Sequence, residues 1–401
     1  MIWHKLVTLR GYMLIPIQQL IPSWLTSSII FPFLISRFSL ITVGYFCQYI
    51  HKNNNYPENI IVEQGWFFSP HRILDIWGRW DTGWYIDIIQ KGYEVKGDIH
   101  TISSNIAFFP LYPHIVKYSS FLLPELLRTR ENIFLVGVLL SNIMFVFALI
   151  LLYKLIMLRF NDMNVAERTV LYLLIFPTSF FFSCFYTESA FLLISVGCFY
   201  AAHKSAWLVS SILGGLLALC RPLGLLIIIP LIFMYLKSIN WQINRIQWKS
   251  LYFLLIPMAF FSFLLSVYHL TNNLFAPMEI QQAWDRNFSL PWITLANPSM
   301  DLGYITNIDR IFTIAFILLI IISVINLKSI TYSIYSFIFL LPPLCTGTLI
   351  SMSRYVLIIF PVFISMSFLG KKKTIDQFFT IMFLSLQSLL MISWSQFYWV
   401  A

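Results

Sequence analysis

Eleven apolar stretches, each approaching the roughly 20 residues that a helix needs to cross a bilayer, leave this chain one class of fold. They lie near residues 29–50, 132–153, 167–184, 187–203, 205–220, 222–237, 251–271, 308–326, 330–349, 355–369 and 375–395. Hydrocarbon offers no partner to backbone N–H and C=O groups, so such stretches must bond internally, as helices. With 59% hydrophobic and 11% charged residues, the chain is far too apolar for an ordinary soluble domain. The expectation is an all-α, multi-pass bundle of about 11 transmembrane helices, a single integral membrane domain over 1–401.

The formal charge of +9 is scattered between apolar runs and forms no basic stripe with interleaved aromatics, which excludes nucleic acid and leaves the lipid bilayer as partner. The positives fit a topology instead. With the N-terminus inside, the inner loops hold thirteen basic residues (Lys5, Arg10, Lys154, Arg159, Arg168, Lys204, Lys237, Arg245, Lys249, Lys328 and Lys371 to Lys373) against three acids, Asp162, Glu167 and Asp376. The first outer loop, 51–131, holds eight basic and nine acidic residues, and a second outer loop spans 272–307. This requires that Phe108 to Leu123, with Pro110, Pro113, His114 and Lys117, lies along the interface. If it crossed, every later loop would invert. The N-terminal segment has no small-residue cleavage site and reads as a retained anchor. Cys47, Cys184, Cys198, Cys220 and Cys345 all sit in apolar segments, with no Cys-x-x-Cys pair and no His-Glu-x-x-His helix, so neither a disulfide framework nor a zinc site is indicated.

The first outer loop carries a dense polar and aromatic segment, Gly78-Arg79-Trp80-Asp81-Thr82-Gly83-Trp84-Tyr85, running on to Lys91-Gly92-Tyr93. Asp81 has two compatible readings: the N-cap of a surface helix that ends at Gly92, or a reactive carboxylate. Trp77, Trp80 and Trp84 recur at helical spacing, as an interfacial aromatic band or a sugar platform, and Tyr85 shares that ambiguity. Glu188, in Tyr186-Thr187-Glu188-Ser189, falls at a tight turn between two stretches. Arg221 and Arg354 fall at stretch ends, as plain anchors or as phosphate-holding guanidiniums. Together with Asp285, Arg286, Asp301, Asp309 and Arg310 they gather toward one face, the face of Asp81. Ionised groups at membrane depth are costly, so convergence favours use. Arg37, inside the first stretch, has three readings open: snorkelling, pairing with an acid, or reaching a lipid phosphate.

Arg79-Trp80-Asp81-Thr82-Gly83-Trp84-Tyr85 with Gly92-Tyr93, Phe108-Phe109-Pro110-Leu111-Tyr112-Pro113, Phe176-Pro177-Thr178-Ser179-Phe180-Phe181 with Tyr186-Thr187-Glu188-Ser189, Arg221-Pro222-Leu223-Gly224-Leu225 and Ser353-Arg354-Tyr355 resemble, in order, the motifs of the GPI mannosyltransferase 2 (PIG-V type) family. The wording is closer to that of its prokaryotic members. The resemblance implies a GT-C type glycosyltransferase that takes mannose from a polyprenyl-phosphate mannose, dolichyl- or undecaprenyl-type, to a hydroxyl of a glycolipid or glycan acceptor on the lumenal or periplasmic face. It implies a bacterial inner membrane, or the endoplasmic reticulum in a eukaryote. Asp81 matches the family's acidic residue in the first outer loop, the general base of an inverting displacement. Glu188 would orient that base or hold sugar hydroxyls. Arg221, Arg354 and Arg79 are the candidates for the donor phosphate, and Trp80, Trp84, Tyr85 and Tyr186 for sugar or acceptor. No ligand cluster demands a metal, and a divalent ion between Asp81 and Glu188 is left open. A partner subunit is likewise open. Two readings of other classes remain beside this one: a transporter or flippase for a lipid-linked substrate, disfavoured by the absence of an inverted repeat, and a non-catalytic subunit of a membrane complex.

Overall fold

The structure, a computed structural model, describes residues 22–50, 67–95, 97–98 and 102–400. Lys5, Arg10 and the 51–66 part of the first outer loop lie outside the described residues. Among the described residues the regular structure is helical throughout. The helices that matter are α1 (Ser23–Ile50), α2 (Asp81–Lys91), α3 (Leu111–Ser120), α4 (Arg130–Phe160), α5 (Met163–Ile175), α6 (Glu188–His203), α7 (Trp207–Cys220), α8 (Pro222–Ser238), α9 (Trp248–Thr271), α10 (Tyr304–Leu327), α11 (Ile330–Leu344), α12 (Met352–Ile358), α13 (Phe360–Leu369) and α14 (Lys373–Ser395).

Each expected apolar stretch falls on a helix, but length and composition give fewer spans than eleven. Five helices, α1, α4, α9, α10 and α14, are long and apolar enough to cross a membrane, and α12 with α13, bent by 78°, makes a sixth if taken as one span. The rest are shorter, and the breaks have local causes. Pro222 and Pro361 sit in the first turns of α8 and α13, where a missing N–H costs nothing, and Arg221 before Pro222 is pushed into extended backbone. α5 stops at Ile175, and the chain continues through a single 3₁₀ turn, Ser179–Phe182, before α6 begins. These helices make the chain an integral membrane protein.

The core lies where α4, α5, α6 and α13 meet. Phe180, Phe181, Phe182 and Phe185 of the α5–α6 break are fully buried, with Trp394 of α14 against Phe181 at 5.0 Å between rings. Arg37 answers its open question here. Its guanidinium donates to the carbonyls of Leu174 (3.2 Å) and Ser179 (3.2 Å) and to the hydroxyls of Ser36, Ser179 and Ser183. Gln387 of α14 donates to Leu174 and Phe176 carbonyls at 3.0 and 3.1 Å. Among the described residues Arg37 therefore meets no acid, and it is buried in the bundle rather than extended to its surface. A positive charge and an amide meet carbonyls at the C-terminus of α5, which the break leaves without helical partners.

α3, at ten residues, rises about 15 Å and is too short to cross a ~30 Å hydrocarbon core. It packs its Tyr112 face inward, with the hydroxyl bonded to the carbonyl of Gly137 on α4 at 3.1 Å. The loop containing α2 is stitched to the bundle at the α5–α6 break, where the N–H of Phe185 donates to the carbonyl of Trp77 at 3.0 Å.

Candidate active site

Four charged side chains from four separate parts of the chain meet beside a cavity of about 960 Å³. Arg354 is the hinge of the set: its Nη1 donates to Asp81 Oδ2 at 2.8 Å and its Nε to Glu188 Oε1 at 2.8 Å. Arg221 donates through Nη2 to the same Glu188 oxygen in a short contact, and through Nε to Thr187 Oγ1 at 2.6 Å. Two guanidiniums thus bracket two carboxylates. Glu188, Arg221 and Arg354 are buried, whereas Asp81 keeps partial access to the cavity.

Local sequence sets each position. Glu188 is the first residue of α6, where the partial positive charge of the helix end favours a carboxylate. Arg221 is extended (φ −155°, ψ 155°) between α7 and α8. A Cβ at Gly224 would stand 1.9 Å from the Leu217 carbonyl oxygen, so only glycine lets α8 start this close to the end of α7. Arg354 follows Ser351, whose φ of +70° turns the chain into α12. Asp309 of α10 holds that turn: its Oδ1 accepts the Ser353 N–H at 2.8 Å. Asp309 belonged to the expected outer charges, but nothing in its spacing announced that it supports the arginine.

Asp81 is not the cap of its helix. It is the first helical residue, Trp80 occupies the cap position with no side-chain cap bond, and the Asp81 carboxylate goes to Arg354 instead. Trp80 holds φ +45° and ψ −105°, a conformation costing on the order of 1–3 kcal/mol for a residue with a side chain. That strain sits one residue before the Asp81 carboxylate. The helix does end at Gly92, with φ +86°.

The other expected site residues divide. Tyr85 lines the cavity, and burial together with the neighbouring Asp81 carboxylate pushes its hydroxyl well above the usual phenol range, so it stays protonated. Tyr186 lies behind the site, its ring 4.6 Å beneath the Arg354 guanidinium and its hydroxyl bonded to the Arg79 carbonyl at 3.0 Å. Trp80 packs on Trp399 at 4.9 Å, and Trp84 stacks on Phe108 at 5.9 Å and meets Trp284 edge-on. Those partners, Phe108, Trp284 and Trp399, form the cavity wall in their place.

Arg79 is not brought to the cavity. It is fully buried, paired with Asp75 at 2.8 Å and capped by the Phe397 ring at 3.9 Å. Asp75 in turn accepts the Phe68 and Ser69 N–H groups, so this pair braces the loop that carries Asp81. The second outer loop supplies the facing wall, with Gln281, Trp284, Arg286 and Phe288 bordering the cavity. A divalent ion between Asp81 and Glu188 does not fit this arrangement. Arg354 already bridges the two carboxylates, and among the described residues no three His, Cys, Asp or Glu side chains gather as a metal set.

A model of the mannosyltransferase (PIG-V) family matches residues 62–291, more than half of the chain, and the match contains Asp81, Glu188 and Arg221. GPI mannosyltransferase 2 of Drosophila pseudoobscura pseudoobscura is 31% identical over 116 residues, which are 28% of this chain, so the matched stretch spans only about a quarter, 24%, of that relative. Two structures of the Archaeoglobus fulgidus oligosaccharyltransferase, one with zinc and sulfate and one with an inhibitory peptide and a dolichol-phosphate, each superpose with a TM-score of 0.44. They are 12% and 13% identical, cover 79% of this chain, and are themselves covered to 48% and 52%, a likeness too loose to assign a shared fold. On the family match, this chain belongs to the mannosyltransferase (PIG-V) family.

Proposed function

We propose that the protein is a membrane mannosyltransferase that moves mannose from a polyprenyl-phosphate mannose to a hydroxyl of a glycolipid or glycan acceptor, with Asp81 as general base. The observation that carries the proposal is the Asp81 carboxylate, fixed by Arg354 through one oxygen and opening onto a cavity at the upper end of the ligand-pocket size range. Its other oxygen, Oδ1, accepts no hydrogen bond from the described side chains, which leaves it available to an acceptor hydroxyl.

The acceptor oxygen attacks the anomeric carbon as the bond from that carbon to the phosphate oxygen breaks. The hydroxyl proton passes to Asp81, and the electron pair of the broken bond leaves with the lipid phosphate. One displacement inverts the anomeric centre. Positive charge builds on the sugar ring and negative charge on the leaving phosphate. The guanidiniums of Arg221 and Arg354 supply a fixed positive edge that matters more as that negative charge grows. Glu188, wholly buried and shared between them, holds both guanidiniums in place and leaves Asp81 the reacting carboxylate. Neutral Tyr85 and the aromatic wall fit sugar faces and exclude water. The clustering of charge at one face supports a site on the lumenal or periplasmic side of the membrane.

The test is transfer of radiolabelled mannose from polyprenyl-phosphate mannose by purified protein in lipid. Asp81→Asn keeps the Arg354 contact in shape but cannot take a proton, so transfer falls about 10²- to 10⁴-fold while thermal unfolding stays near wild type. Undiminished transfer by the folded variant would remove Asp81 from the reaction.

A further inference from the structure

The site beside Asp81 is already neutral, and that raises the question of what meets the phosphate. Arg221 and Arg354 carry two positive charges, and Glu188 and Asp81 answer them with two negative ones through direct contacts. Arg221 borders the cavity, but its remaining nitrogen, Nη1, is buried and has no hydrogen-bond partner among the described residues. A phosphate arriving with its lipid would have to take a guanidinium from a carboxylate, at the cost of leaving that carboxylate unpaired and half-buried.

A third guanidinium borders the same cavity without that commitment. Arg286, on the second outer loop, is half-buried, and Nη1 donates to the neutral amide oxygen of Gln281 at 2.9 Å. It forms no ion pair within 4 Å among the described residues, and the adjacent Asp285 carboxylate is exposed and makes none either. The backbone N–H of Arg286 also donates to the Gln281 carbonyl at 3.2 Å, so the loop and the fork are held by one residue. Tyr355, next in sequence to Arg354, lines the same cavity as Arg286, with its ring 6.0 Å from the Arg221 guanidinium. Of the three arginines bordering that cavity, Arg286 alone has no acidic partner among the described residues.

We propose that Arg286, positioned by Gln281 and accompanied by the Tyr355 hydroxyl, binds the phosphate of the lipid-linked donor, while Arg221 and Arg354, committed to Glu188 and Asp81, act on it only as its negative charge grows in the transition state. This rests on the reading of a lipid-phosphate donor given above and assigns the phosphate to a different loop. The planar fork of Arg286 can take two phosphate oxygens at once, and Gln281 pre-sets its plane.

The experiment measures binding of two probes, a polyprenyl phosphate without sugar and the polyprenol of equal length, to the purified full chain in lipid nanodiscs. Wild type is expected to prefer the phosphate. Arg286→Gln should weaken polyprenyl phosphate binding about ten- to a hundredfold, with polyprenol binding and the thermal midpoint unchanged. Arg286→Lys, which keeps charge without the fork, should fall between. Arg310→Gln removes a charge from the same face but not from the cavity, and should bind both probes as wild type does. Wild-type affinity for polyprenyl phosphate in Arg286→Gln overturns the assignment while leaving the donor class standing. Equal loss of both probes makes Arg286 a structural residue of the loop and also overturns it. If wild type itself does not distinguish phosphate from alcohol, the lipid-phosphate reading fails, and this assignment with it.

Discussion

Two charged clusters occupy opposite ends of the helical bundle, and they are built on different plans. α14 joins them: Asp376 in its first turn meets Arg168, and Trp394 near its end donates to the Ile76 carbonyl in the loop that leads to Asp81. Along this helix Asp376 and Trp394 stand about 27 Å apart. At the first end the contacts are simple pairs, Arg168 with Asp376 at 3.0 Å and Lys371 with Asp162 at 2.7 Å, all partly open to solvent. At the other, two guanidiniums share one wholly buried carboxylate and reach a second beside a large cavity. Water offsets the cost of charge at the open end. At the buried end the four groups offset one another, helped by Thr187 and the Tyr186 ring, and substitution by apolar residues would often be as stable. What the buried cluster has that the pairs lack is a fixed orientation for Asp81.

The sharpest way to break this contrast is to remove the shared acceptor. Glu188→Ala leaves buried Arg221 without an acidic partner and Arg354 with Asp81 alone, and is expected to cost about 3–5 kcal/mol of stability. Denaturant unfolding of the detergent-solubilised protein measures it. A loss no larger than that from Asp162→Ala would mean that the buried cluster is no more demanding than the open pairs.

Arg354→Lys separates stability from geometry. An ammonium on a flexible stem can satisfy one carboxylate but not both at the observed angles. Protein stability should change little relative to Glu188→Ala. Transfer should fall about a hundredfold, because a displaced base costs rate steeply. Steady-state kinetics with polyprenyl-phosphate mannose decides it, and unchanged kcat would show that Arg354 does not orient Asp81.

Arg37 offers the control for burial itself, since it is equally hidden but touches carbonyls and hydroxyls far from the cavity wall. Arg37→Met strips the end of α5 of its donors and should cost about 1–3 kcal/mol. The fraction that remains folded should transfer mannose at the wild-type rate. A specific-activity loss in folded Arg37→Met would tie the α5–α6 break to catalysis and blur the contrast.

How much of this was legible beforehand varies with the range of the interaction. Helix positions followed from apolar runs, because membrane helices are specified locally by what the bilayer excludes. The number of spans did not, since α6, α7, α8 and α11 are apolar but only 10–17 residues long, shorter than a bilayer requires. That Asp81, Glu188, Arg221 and Arg354 share one face was readable from charge and topology. Which of them touch was not, because Asp81 and Arg354 are 273 residues apart in the chain. Arg79 looked equivalent to the other two arginines until Asp75, four residues earlier, proved to be its partner. An i, i+4 spacing was the available signal for that pair. The wall residues Trp284 and Trp399 carried no local signal at all, since their role depends on loops folding over Trp84 and Trp80.

The smallest effect belongs to the open end, and it has a pH signature. The bond from Lys371 holds the Asp162 carboxyl below the usual carboxylate range. A group whose acidity is strengthened by folding stabilises the fold above its unfolded value, near 3.9 for Asp, and loses that contribution as pH falls through the folded value. Both partners are solvent-accessible, so the pair is worth at most about 1 kcal/mol at low salt and less when screened. Lys371→Ala should lower the thermal midpoint slightly at pH 7, and the difference from wild type should shrink in high salt and fade as pH falls below the usual carboxylate range. Should that difference match the one from Arg37→Met, or grow on acidification, solvent would not be what makes charge inexpensive at this end of the molecule.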